Sequence, residues 1–354
     1  MSKPVLPEIN QQYFLDFLIE MLDTPSPIGF TDLGMDVVEK WFSAFPQLTL
    51  QRTKKGALLI TCPGESDESA RCVSAHIDTL GGIVKEVKAN GRLQITALGG
   101  LTWNSVESEG VTVFTADGRS YRGAFMVNYA SAHVHGGQKI RATERTDEHM
   151  EIRLNERVTS AADTRALGID VGDYVAFDPK VEIVNDFICS RFLDDKIGIA
   201  IMAAALKAVL DGGLKPKYTT YYFISNAEEF VVHGTASDIP EEIDEFLSID
   251  IAAIGTGQNS DEFHASIAMK DSGGPYDRAF SNKMRALAKA YGLDVRPDVF
   301  TYHISDAVVY LRSGGKAPTA LIGPGVDATH NYERAHMDGI HAALQWLLAY
   351  LLNE

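Results

Sequence analysis

Seven side chains in this 354-residue chain could together hold metal and move a proton: His76, Asp78, Asp194, Glu228, Glu229, Asp250 and His330. His76-Ile-Asp78 ends the apolar run Arg71-Cys-Val-Ser-Ala, which reads as a strand. Period-2 geometry points both side chains the same way, so the imidazole can ligate a metal while Asp78 orients it. Asp194-Asp195 stands at the entrance of an apolar helix, where a carboxylate either caps the helix, the ordinary role for Asp195, or serves as a ligand. Glu228-Glu229 follows the strand Tyr221-Tyr-Phe-Ile-Ser, beyond the carboxyl end where α/β folds place their sites. One glutamate can ligate while the other acts as general base on an activated water. Asp250 lies between Leu247-Ser-Ile and Ile251-Ala-Ala-Ile, and a carboxylate in such surroundings is costly unless paired or metal-bound. His330 follows the Gly323-Pro-Gly325 loop. Singly, each has an ordinary reading as solvated charge, helix cap or packed histidine. As a set, two histidines and several of these five carboxylates suit a pair of Zn²⁺, Co²⁺ or Mn²⁺ ions.

The elements that position these residues follow from periodicity. Phe14, Phe17, Leu18, Met21 and Leu22 recur at helical spacing and predict a helix over Pro7 to Leu22, ended by Thr24-Pro-Ser-Pro-Ile-Gly-Phe. A second helix is expected from about Asp32 to Phe45, then strands at Ala57–Cys62 and Arg71–His76. From about residue 80 to 185 strand-like pieces are short and close, Asp117-Gly118 marks a hairpin, and long helical periodicity is absent. After residue 186 strands and helices alternate: a nearly all-apolar helix from Lys196 to Leu210, strands at Tyr218–Ser225, Phe246–Ile251 and Ala317–Gly323, a helix near Lys283–Tyr291, and a closing helix from Met337 to Leu352. This predicts an α/β fold formed by residues 1–79 and 186–354, with a β-rich, barrel-like domain inserted at 80–185.

A hydrophobic fraction of 45% supports a large core without disulfide staples. The net charge of −16 argues against nucleic acid or an anionic membrane as partner. Three cysteines (Cys62, Cys72 and Cys189) in no metal-knuckle spacing, and an amino terminus lacking the apolar run of a signal peptide, lead to the expectation of a cytoplasmic protein. No stretch approaches the roughly 20 apolar residues of a membrane span.

The order His-x-Asp, Asp, Glu-Glu, Asp, His resembles that of the co-catalytic dinuclear peptidases of families M42, M28 and M20. The β-rich insertion between the first histidine and the next aspartate is the M42 placement. Thr24–Phe30, Val171-Gly-Asp-Tyr-Val and Ser305-Asp-Ala are similar to M42 landmarks. The resemblance implies an α/β/α zinc-peptidase-like catalytic domain and an aminopeptidase that removes N-terminal residues from peptides with a free N-terminus. It implies two divalent metal ions per subunit, zinc foremost, bridged by Asp194; His76 and Asp250 complete one site, Glu229 and His330 the other. Glu228 would be the general base on a metal-bridging water and Asp78 would orient His76. Homo-oligomers from dimer to dodecamer, assembled through the inserted domain, are also implied. The chain departs from the family at Asp327-Ala328 (commonly Arg-Tyr), at Asp195-Lys196 (commonly Asn-Arg) and at Glu333, which comes one residue early. These departures suit a specialised hydrolase of an unusual small peptide. The alternative enzyme is an M20-like deacylase or carboxypeptidase with the same metals. His133 and His135 are expected to be structural or interfacial, with substrate contact as the alternative, and His303 lines the pocket or packs.

Overall fold

The computed structural model describes residues 5–230 and 238–354; His233 lies outside them. The candidate site residues lie along a large mixed sheet whose central strands run in the order Tyr218–Ser225, Ser66–His76, Glu245–Ile249, Thr319–Asp327, each parallel to its neighbour. Register explains why distant residues meet. Ser225 pairs with His76, so the two strands end flush. Ser248 pairs with Ser74, and two residues further along Asp250 comes level with His76.

Helices cover both faces. The helix Leu193–Asp211 is buried along most of its length and packs between Gln11–Asp23 and Met337–Leu352. A helix apolar all round needs neighbours on every side, and this one has them. Asp306–Arg312 covers the other face, against the strands Ser66–His76 and Glu245–Ile249. Gln11–Asp23 starts later than periodicity alone suggests because the Asn10 side chain accepts from the Tyr13 amide and fixes the start there.

Between Gly81 and Phe177, six strands close into a barrel in the order Gly81–Val87, Leu93–Leu98, Met150–Leu154, Ser120–Val127, Gly110–Phe114, Tyr174–Phe177. Val84, Ile95, Val111, Phe125, Ile152 and Val175 are buried there. The Asp117-Gly118 turn joins two of these strands, with Gly118 at φ +83°. Three short helices, Ala132–His135, Gly137–Ala142 and Ala161–Ala166, decorate the barrel. None is long enough to leave a period in the sequence.

Two buried arginines tie distant parts together. Arg71 lies between the rings of Tyr218 and Tyr350, 4.6 Å from each centroid, and donates to the Tyr350 and Asn353 carbonyls. Arg191 donates to the Ser105 carbonyl at 2.9 Å and to Glu109 at 3.1 Å, fastening the barrel to the segment that leads into Asp194.

Candidate metal centre

The sheet's carboxyl edge gathers all seven residues singled out above. His76 Nε2 lies 3.1 Å from Asp194 Oδ1 and 3.8 Å from Glu228 Oε2. His330 Nε2 lies 3.6 Å from both Asp194 Oδ2 and Glu229 Oε1. Two donor groups emerge, His76–Asp194–Glu229 and His76–Asp195–Asp250, the ligand atoms of each lying within 4.8 Å of one another. Asp195 is nearer to His76 and Asp250 than expected, but both its oxygens are already engaged. They accept from the His76 amide at 3.3 Å and the Gly198 amide at 3.2 Å, the second bond being the cap of its own helix.

Asp78 acts differently from a simple His-x-Asp pair. Its backbone carbonyl meets His76 Nδ1 at 2.9 Å, while its carboxylate stands 3.7 Å away. The carboxylate instead accepts from the Glu228 amide at 3.1 Å and the Glu229 amide at 3.0 Å. One residue thus fixes the imidazole and the turn that carries both glutamates. The turn, Glu228–Phe230, is a single 3₁₀ turn immediately after the strand.

Four residues join the site from beyond the original pattern. Glu333 accepts from the Asp194 amide at 3.1 Å and the His330 amide at 3.0 Å. The Gly100 carbonyl, on a barrel loop, lies 3.3 Å from His330 Nδ1, and a Cβ at Gly100 would come within 2.9 Å of that nitrogen. His303 Nε2 approaches Asp250 Oδ1 to 3.6 Å. Asp306 accepts from Ser225, at 2.8 Å, and from Ser74. Glu333 and Ser305-Asp-Ala are legible only as landmarks, and the Gly99-Gly100 pair carries no signal except tolerance of close approach. His133 and His135, by contrast, sit exposed on a barrel helix outside both donor groups.

The electrostatics follow from burial. Dehydration and the neighbouring Asp250, Glu229 and Asp306 carboxylates push Glu228 well above its usual range, against the pull of His76. Glu229 is raised by burial and by Asp194, and Asp250 by burial against the pull of His303. Burial also works against charge on Asp194, yet the hydrogen bond and charge of His76, with His330 and His303, hold it low. Burial disfavours the His76 cation, but Asp194, Asp78 and Glu228 outweigh it and raise its pKa. Burial and Asp194 push Glu333 up to about 8.

The donor set fits divalent cations. Among the described residues, the ion-pair partners of Asp194, Glu228, Glu229 and Asp250 are all histidines. So many buried carboxylates repel one another unless positive charge is supplied, and imidazole with carboxylate is the chemistry of Zn²⁺, Co²⁺ and Mn²⁺ sites. Glu228 Oε1 is buried without a hydrogen-bond partner, an acceptor held ready beside the donors. A cleft of about 500 Å³, lined by Ile28, Gly29, Thr31, Lys54, Asn226 and Ala227 among others, opens next to the Glu228 turn.

Comparison with known proteins identifies the family and the fold. The sequence profile of the family described as M42 glutamyl aminopeptidase matches residues 56–346. YhfE of Bacillus subtilis (strain 168) is 39% identical over 338 residues, covering 95% of this chain and 96% of that protein. The fold matches a TET aminopeptidase from the marine sediment archaeon Thaumarchaeota archaeon SCGC AB-539-E09 with a TM-score of 0.85, at 17% identity and 96% coverage of both chains. It matches the aminopeptidase APDkam598 from Desulfurococcus kamchatkensis with a TM-score of 0.84, at 20% identity, covering 97% of this chain and 95% of that one. The Pyrococcus horikoshii TET1 peptidase, which can assemble into a tetrahedron or a large octahedral shell, matches with a TM-score of 0.83, at 17% identity, covering 96% of this chain and 100% of that one.

Proposed function

Because the chain belongs to the M42 glutamyl aminopeptidase family and is a peptidase, we propose that it removes N-terminal residues from peptides using two divalent metal ions. The buried, unpartnered Glu228 Oε1 beside a carboxylate–histidine cluster carries this reading. As the family resemblance implies, Asp194 would be the ligand shared by the two ions, with His76 and Asp250 completing one site and Glu229 and His330 the other; Asp195 has both oxygens accepting from backbone amides. Once bound, the ions supply the Lewis acidity that polarises the scissile carbonyl and makes water a nucleophile near neutral pH. Zinc suits these donors best.

Glu228 acts as the general base. Its buried, unpartnered oxygen beside the histidines and carboxylates suits a group that takes a proton from the attacking water and returns it to the leaving amine. The proton is thereby conserved, the carbonyl–nitrogen bond breaks, and the carboxylate is regenerated. Asp78 keeps Glu228 and Glu229 in place through their amides. The cleft beside Asn226 and Ala227 receives part of the substrate. Residues 1–79 and 186–354 form the catalytic domain. The insertion at 80–185 is the face through which copies assemble into a homo-oligomer.

The test pairs metal content per chain with turnover of a panel of aminoacyl substrates, for wild type and Glu228→Gln. Two ions per chain are expected in both, with turnover in the variant lower by roughly 10²- to 10⁴-fold. Near-wild-type turnover in Glu228→Gln would remove it from the base role. Two ions with release only from N-acylated substrates would replace the aminopeptidase reading with a deacylase.

A further inference from the structure

Glu333 has no place among the ligands or the general base, yet it is only 2% exposed and both its oxygens point at ligand-bearing backbone. One oxygen takes the amide of Asp194, the other the amide of His330. These two residues come from opposite ends of the catalytic domain: Asp194 follows the barrel, and His330 lies near the end of the sheet. Both approaches are conformationally demanding. His330 has φ +61°, Ala328 φ +56°, and Phe192, two residues before Asp194, φ +70°. Left-handed backbone is uncommon for residues other than glycine and persists where surrounding contacts hold it.

We propose that Glu333 is the positioning residue that sets the spacing between Asp194 and His330, and so tunes the affinity of the metal site they share. Glu333 itself is anchored: its strand, Glu333–His336, pairs with Phe187–Ser190 on one side and Val326–Asp327 on the other. A single carboxylate on that fixed strand therefore acts as a two-pronged template. It reaches each ligand through its own amide and leaves the Asp194 carboxylate and His330 Nε2 free to face the ion. The site containing His330 and Glu229 depends on Glu333 through two ligands. The site containing His76 and Asp250 depends on it only through Asp194. Glu333 therefore affects the two sites unequally.

This inference rests on the two-metal reading above, and the experiment separates the two. Zinc binding to the full-length enzyme is followed by competition with a chromophoric chelator, for wild type, Glu333→Gln and Glu333→Asp, alongside thermal melting of each metal-free protein. Glu333→Gln replaces one acceptor by a donor that opposes an amide. Glu333→Asp keeps the carboxyl group but shortens its reach, so it serves one amide at a time. The expected result is two zinc ions on the wild type, one of them weakened by roughly 10- to 100-fold in the variants, the other changed much less, with metal-free melting close to wild type. If Glu333→Gln does not accumulate as folded protein, the Glu333→Asp titration decides on the same criterion. Two unchanged affinities, or equal loss at both sites with a collapsed melting temperature, overturns the positioning role. A wild type that binds no zinc overturns the metal-site reading itself.

Discussion

At the scale of single residues, the buried carboxylate of Asp306 has the clearest pH signature. It lies beside the candidate metal centre, accepts from Ser74 and Ser225, and is pushed up to about 6 from 3.8 by burial, against the opposing pull of His76. The folded state therefore binds this proton more tightly than the unfolded chain. The associated stability is complete below the unfolded value of 3.8 and is lost as pH rises through 6. Above that, keeping the charge buried costs about 3 kcal/mol. Asp306→Asn should therefore gain stability relative to wild type as pH rises from about 4.5 to about 7.5. Denaturant midpoints of the two proteins at both ends of that range measure the gain. A difference independent of pH would show that Asp306 is already ionised at the lower end.

At the scale of elements, the site depends on strands ending at the same level. The strand Thr319–Asp327 runs beside Glu245–Ile249, and a Cβ on Gly323 would fall 1.5 Å from the Asp250 carbonyl oxygen. Backbone cannot yield as a flexible side chain can. Gly323→Ala should force the strands apart, cost about 3 kcal/mol or more, and displace Asp250. Calorimetry of the metal-free protein reads the stability loss, and wild-type melting in that variant would contradict the tight approach. This scale was also the most legible in advance. His76 and Glu228-Glu229 follow apolar runs and Asp250 lies within one, so their neighbourhood follows from strands that fill a buried sheet, although the strand expected over Phe246–Ile251 stops at Ile249. Glu333 and the Gly100 carbonyl were not legible in this way. Their roles exist only because folding lays the segment after Gly325 beside Asp194 and a barrel loop beside His330, and neither proximity leaves a period or a motif. The carboxylate of Asp78 keeps a 3.7 Å approach to His76 Nδ1 and takes a second task that spacing does not reveal. Sequence spacing sets it facing His76, but the two amides of the 3₁₀ turn draw it to themselves.

At the scale of the whole molecule, barrel and sheet are joined through Arg191, whose guanidinium reaches Ser105 and Glu109 while its backbone leads into the Asp194 segment. Arg191→Ala leaves Glu109 with Lys180 alone. The expected cost is on the order of 3 kcal/mol, accompanied by faster limited proteolysis around residues 178–192. Unchanged cleavage and melting would mean that the barrel is held by its apolar contacts alone. The barrel is in any case no detachable accessory, because the Gly100 carbonyl touches a proposed metal ligand.

The Arg71 clamp has a consequence in time as well as space. Arg71 sits on the same strand as His76, but its guanidinium is satisfied by carbonyls of residues 350 and 353. A ribosome adding about 5–20 residues per second releases the first ligand on the order of tens of seconds before these last partners. For most of that interval the edge that gathers the candidate site residues lacks His330, and the helix Met337–Leu352 that closes its core is incomplete until the end. Because Arg71 shares a strand with His76, the part of the site that is made first takes its native clamp only after the helix Met337–Leu352 has been added.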